Sequence, residues 1–157
     1  MANDGGVTAL IEQAAADVLA ALQFNGENVF KAAEVWKYQI AAAAGGIEAF
    51  SKYEPFAFVS YLPISGFREG DNDLRQVLIF AVAIGVESKT AGVARIGDAK
   101  NLGISKIRDL VIAALDNWHP GGSIACDPLY YKDEIALVDD AHRNALQMHF
   151  EANMITL

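Results

Sequence analysis

The stretch Val77 to Val86, VLIFAVAIGV, decides how the rest of the chain is read. Side chains alternate across a strand, so residues of one parity share a face. Leu78, Phe80, Val82, Ile84 and Val86 make one face, all of it large and apolar. Val77, Ile79, Ala81 and Ala83 make the other, apolar as well but mostly smaller. A strand that is apolar on both faces needs cover on both. A chain of 157 residues leaves few elements for a second layer. Part of the second face is therefore expected to lie against another subunit.

A partner strand follows at the end of the sequence. In RNALQMHFEANMI, Arg143 to Ile155, the residues Leu146, Met148, Phe150, Ala152 and Met154 fall on one parity. Gln147, His149, Glu151 and Asn153 fall on the other. This period-2 pattern gives one dry and one wet face. Two amphipathic helices are available to cover the dry side. Val7, Leu10, Ile11, Ala14, Val18 and Leu22 form the first stripe, started by Asp4 or Thr8 and stopped at Asn25-Gly26. Ile104, Ile107, Val111, Ala114, Leu115 and Trp118 form the second. It begins between Asp98 and Ser105 and ends at His119-Pro120-Gly121-Gly122.

Shorter strands are predicted over Val29–Trp36, Pro55–Leu62 and Glu134–Val138. The prolines of the second mark strand ends. Asp139-Asp140 begins a turn, and so does Gly70-Asp71-Asn72-Asp73 within the connection ISGFREGDNDLR. The alanine-rich segment around Gly45-Gly46 reads as a loop carrying a short helix. The expected fold is α+β: a largely antiparallel sheet of about five strands, with two helices on one face, in one domain spanning 1–157.

Composition narrows the function. Apolar residues are 53% of the chain and charged residues 20%, enough for a packed core. The net charge of -8 argues against a protein that grips a phosphate backbone. No basic region precedes an apolar run near the start, so no secretory signal is expected, and no run reaches the ~18–20 residues of a membrane span. The lone Cys126 excludes an internal disulfide and a multi-cysteine zinc site.

Catalytic patterns are sparse. No phosphate loop, dinucleotide fingerprint, nucleophile elbow, HExxH or CxxC is present. His119, Cys126, His142 and His149 match no standard metal spacing, and His149 reads as a polar residue on the wet face. The carboxylates Asp133, Glu134, Asp139 and Asp140 bracket a strand and read as solubilising charges. Neither a metal nor a cofactor is expected. Trp36, Tyr38, Phe56, Phe58 and Tyr61 could line a ligand pocket, which keeps a small binding or enzymatic domain as the alternative. A partner-binding adaptor on the same fold is a third reading.

The order of segments carries a resemblance. ALIEQAAADVLAAL is followed by EPFAFVSYLPISG, VLIFAVAIGVES, ARIGDAKNLGISKIRDLVIAAL and NALQMHFEANM. This resembles the Mu-like phage family of small tail proteins encoded just before the tail sheath, and the broader tail-terminator and tail-completion group. The resemblance spans nearly the whole chain. The alanine-rich insert around Ala41 to Ala44 departs from it.

The resemblance implies a non-enzymatic subunit of a phage tail or contractile injection particle, assembled in the bacterial cytoplasm. Such subunits form a homo-oligomeric ring, expected to be hexameric, on the end of the tail tube. The ring ends tube growth and docks the head connector or a cap, with the sheath as a further neighbour. DNA is only passing cargo, and no membrane is involved. The candidate interface residues are Phe67, Arg68, Glu69, Val77, Ile79, Ala81, Ala83, Lys89 and Arg95, the last two from the polar run Lys89 to Arg95.

Overall fold

The computed structural model describes residues 6–36, 55–67, 75–121 and 126–155. In chain order the elements are α1 (Gly6–Ala20), β1 (Gln23–Phe24), β2 (Glu27–Asn28), β3 (Ala32–Val35), β4 (Phe56–Phe67) and β5 (Arg75–Glu87). They continue as α2 (Val93–Ile96), α3 (Ile104–Leu115), β6 (Tyr130–Asp139) and β7 (Arg143–Ile155). Five strands form one mixed sheet in the order β3-β4-β5-β7-β6. All its neighbouring pairs are antiparallel except β3 with β4, which is parallel. The fold is α+β.

The parity of β5 sets the two faces. Leu78, Phe80, Val82, Ile84 and Val86 are buried against α1 and α3, in one cluster with Ala57, Val59, Met148, Phe150 and Ala152. Ile11, Ala15, Ala16 and Leu19 of α1 and Ile104, Ile107, Val111 and Leu115 of α3 close that cluster from above. The dry side of β7 thus lies beneath the helices, because its even residues stand opposite the even residues of β5: Phe80 faces Phe150 and Val82 faces Met148.

Several boundaries differ from the sequence reading. Asn25-Gly26 does not end α1. Both residues have positive φ, 54° and 81°, and they turn the small β1–β2 hairpin. An Asn-Gly pair suits a two-residue hairpin turn better than any other dipeptide. Pro63 does not end β4, which runs on to Phe67 through a register shift between Leu62 and Gly66. The shift sets Pro63, Ile64 and Ser65 against Leu78 alone, and residues outside the ladder tolerate a proline. β6 is twice the length of the predicted Glu134–Val138, and two register shifts, at Tyr131/Asp133 and Ala136/Val138, break its period. The short α2 was not expected. The turn at Gly70 to Asp73 and the segment around Gly45-Gly46 lie outside the described residues.

Carboxylates from the helical layer terminate the sheet ladder at both borders. β3 ends at Val35, and beyond it the Tyr61 N–H of β4 donates to Glu12 Oε2 of α1 at 2.7 Å. On the other border the Tyr131 N–H of β6 donates to Asp116 Oδ1, just past α3, at 2.9 Å. Burial raises the Glu12 carboxyl above its ordinary 4.5, opposed by the Tyr61 N–H. The folded state therefore holds this proton to higher pH than the unfolded chain does. The stability it contributes is greatest below about pH 4.5 and declines as pH rises through the raised folded value. Glu12→Gln keeps an acceptor and removes the titration. It should match or exceed the parent's thermal midpoint at pH 7, and the difference should close on acidification. Glu12→Ala should cost about 1–3 kcal/mol by leaving the N–H unmet. Equal losses in both variants at pH 7 would contradict this account.

Candidate functional site

The far face of the sheet, away from α1 and α3, is laid out in rows by the strand register. Phe58 of β4 stands beside Ala83 of β5, which stands beside Gln147 of β7, which stands beside Ile135 of β6. The next row toward one end is Phe56, Gly85 and Ala145. Toward the other end come Ser60, Ala81, His149 and Asp133, then Leu62, Ile79, Glu151 and Tyr130.

The small residues of β5 receive the large residues of β4. Phe56 and Phe58 stack with centroids 4.9 Å apart, and Trp36 lies 4.8 Å from Phe58. The Phe56 ring fills the space that a side chain at position 85 would occupy. Phe56, Phe58 and Ala83 form a second buried cluster, with Trp36 and Leu137 against it.

This placement sorts the nine candidate interface residues. Ala81 and Ala83 are 5% and 2% exposed, so the chain itself buries them, and they do not present a free surface. For Ala83 the reason is the size difference across the pair, since Phe56 and Phe58 of β4 close over it, whereas Ala81 sits between Ser60 and His149. Val77 and Ile79 are half-buried. Lys89 and Arg95 are exposed, on the segment that follows β5. Phe67 ends β4, and Arg68 and Glu69 lie outside the described residues. Exposed apolar side chains of the far face appear instead on the border strand β6, where Ile135 is 57% and Tyr130 is 44% exposed. Sequence reasoning missed both because the bulges of β6 hide its alternation.

The aromatic residues Trp36 and Tyr61 do not line one pocket. Trp36 joins Phe58 on the far face, whereas Tyr61 packs on Phe80 at 5.6 Å on the helix side. Tyr38 lies outside the described residues. His149 Nδ1 is 2.6 Å from Asp133 Oδ1, and its Nε2 is 3.0 Å from Gln147 Nε2. His142 Nδ1 meets the Ser88 carbonyl, and His119 Nδ1 accepts the Gly121 N–H. Burial, then the charge of Asp127, raises the Cys126 thiol, which disfavours the reactive thiolate. Among the described residues no three His, Cys, Asp or Glu side chains gather as metal ligands.

A larger feature had no signal in any single segment. An open groove of about 1060 Å³ lies between the β1–β2 hairpin, the end of β5 and the loop Asp98 to Leu102. Lys31, Lys89 and Lys100 line it with Glu27, Glu87 and Asp98. Two of those acids are already engaged. Asp98 accepts the N–H groups of Lys100 and Asn101, which hold its carboxyl below the usual range, and Glu87 pairs with Arg143 at 3.2 Å. None of the three lysine ammonium groups forms an ion pair among the described residues. Lys106 adds a fourth cation at the rim, 5.1 Å from the Phe24 ring centroid.

The β6 border carries a cluster of its own. Arg108 Nε and the Tyr131 hydroxyl both donate to Glu134 Oε1 at 2.6 Å, which ties α3 to β6 and neutralises Glu134. Along this border Asp109, Asp116, Asp127, Asp133 and Asp139 are exposed with Lys132; Asp109 pairs with Arg108 at 3.1 Å, and Asp133 lies 2.6 Å from His149. No helix among the described residues is long and apolar enough to cross a membrane. No protein-family model matches the chain, and no curated protein matches it.

Proposed function

We propose that this chain is a structural subunit of a phage tail or contractile injection particle. It forms a ring that ends the tail tube and docks the head connector or a cap. The observation that carries the reading is the unequal cover of the sheet. The helix side is closed by α1 and α3, while the far side passes from buried Phe58 and Ala83 to half-buried Ile79 and to Ile135 at 57% exposure. A border strand with apolar side chains in solvent suits a neighbour in an assembly. The order of segments along the chain supports the same reading. A contact between unlike surfaces of two copies is heterologous, and such contacts make a ring where the rotation between copies closes.

Sedimentation velocity and mass photometry of the purified chain test this. A ring-sized species is expected, either free or on purified tail tubes. Particles lacking the protein should carry overlong tubes in electron micrographs. A fixed monomer that does not bind tubes, together with tubes of normal length, would remove the proposal.

A further inference from the structure

We infer that Glu12 and Pro63 close the outer edge of β4 to added strands, each by removing one backbone donor. The inference stands apart from the ring reading. β4 has 12 residues and its neighbour β3 has 4, so β4 runs on well past β3. β3 pairs with Phe56 to Val59, and the Trp36 N–H reaches the Val59 carbonyl just beyond. Among the described residues no strand pairs with β4 on that side after Val59. A strand edge without a neighbour presents a row of donors and acceptors to which another extended chain can pair.

The odd residues of β4 carry that row. Pro55 and Val59 accept the Lys31 and Trp36 N–H groups at 2.7 and 2.8 Å. By the same alternation Tyr61 turns its N–H outward, and there Glu12 Oε2 takes it at 2.7 Å. Glu12 is half-buried on α1, and its neighbours Ile11 and Ala15 are buried in the core, so the helix fixes the carboxylate over the edge. A strand arriving there would bring a carbonyl oxygen against a carboxylate oxygen, and two acceptors do not bond. Pro63, the next odd residue, is exposed and has no N–H. The register shift after Leu62 then takes the strand out of step.

The other border is closed in a similar way. The Tyr131 N–H goes to Asp116, and two register shifts break β6. Copies of this chain therefore meet through side chains and do not extend one another's sheets.

Restoring the two donors tests the inference. Glu12→Ala/Pro63→Thr frees the N–H at 61 and adds one at 63, and thermal melting checks that the variant folds. Under native conditions its thioflavin T fluorescence should rise at least about 10-fold faster than the parent's, as sheets join edge to edge. Glu12→Gln keeps an acceptor for Tyr61 and should behave as the parent does. Gly85→Ala strains the centre of the sheet and leaves Glu12 and Pro63 in place, so it controls for lost stability and should also stay dark. Hydrogen exchange gives a second reading. The Tyr61 amide should exchange at least about 10-fold faster in isolated Glu12→Ala subunits than in the parent. If the double variant does not fold, Glu12→Ala alone carries the test through this amide. A folded double variant with parental fluorescence overturns the inference. So does Gly85→Ala assembling as fast as the double variant, or Tyr61 exchange that Glu12→Ala leaves unchanged.

Discussion

Gly103→Ala should lower stability by about 3 kcal/mol or more, among the largest losses from any single methyl in this chain. Gly103 precedes α3, and a Cβ there would lie 2.6 Å from the Arg95 carbonyl oxygen and 2.6 Å from the Ile96 carbonyl carbon, and would overlap the Gly97 nitrogen. These are backbone atoms at the end of α2. A flexible side chain can rotate away from a methyl group, but backbone held by hydrogen bonds cannot. Gly97 is fixed by its own N–H to the Val93 carbonyl at 2.8 Å, and its φ of 80° favours glycine. It too faces a close neighbour, since a Cβ at 97 would lie 2.7 Å from the Asn101 carbonyl oxygen. The two glycines let the chain fold back on itself between α2 and α3.

The consequence reaches the groove. The loop from Asp98 to Leu102 is spanned by this glycine pair, and Lys100 sits within it. Chemical denaturation of Gly103→Ala should show the lost stability with an unchanged dependence on denaturant concentration if only the native state suffers. A variant with parental stability would mean that α2 and α3 can separate without cost.

The sheet was legible where period two held over a long run. The parity of Leu78 to Val86 and of Leu146 to Ala152 assigned both strands to the helix side, because a one-residue slip would have turned every large side chain outward. The stripe of α3 was legible for the same reason at a period of 3.6, but that of α1 was misplaced: of its expected residues only Ile11 is buried and Leu10 is 53% exposed, while Ala15, Ala16 and Leu19 carry the packing. The sequence reading failed where local chemistry has two uses. Asn25-Gly26 stops helices and turns hairpins, and only the pairing of Gln23 with Asn28 distinguishes them. Bulges concealed the extent of β6, since each inserted residue reverses the alternation.

The candidate site was less legible than the fold. Val77, Ile79, Ala81 and Ala83 were correctly placed on one face, but sequence parity says nothing of what closes over that face. The cover of Ala83 comes from Phe58, which lies 25 positions earlier in the chain. The groove draws Lys31, Lys89 and Lys100 from three separate segments, and its character depends on which acids are already paired. Lys89 was named alone, as part of a polar run, because no spacing rule links it to Lys31.

Phe56→Ala should cost about 3–5 kcal/mol, the usual loss for a fully buried phenylalanine. Gly85→Ala should cost about 1–3 kcal/mol for the opposite reason. Its methyl would overlap Cε2 and Cζ of the Phe56 ring and lie 3.1 Å from Cδ2. The ring has little room to yield, with Phe58 stacked 4.9 Å away. Because one loss empties a space and the other overfills it, the two should not add. The double variant Phe56→Ala/Gly85→Ala should be more stable than the sum of the single losses implies, by at least about 1 kcal/mol. Urea unfolding of the four proteins measures that coupling, and strict additivity would mean that the ring does not rest on residue 85. The cycle also bears on assembly. If Phe56, Phe58 and Ala83 belong to the chain's own core, the singles should lose stability as isolated subunits, at concentrations below self-association. If a neighbour supplied the cover instead, the loss would appear only in the assembled state. The first outcome would confine the neighbour to the outer part of the far face, at Ile135 and Tyr130, where apolar side chains stand in solvent.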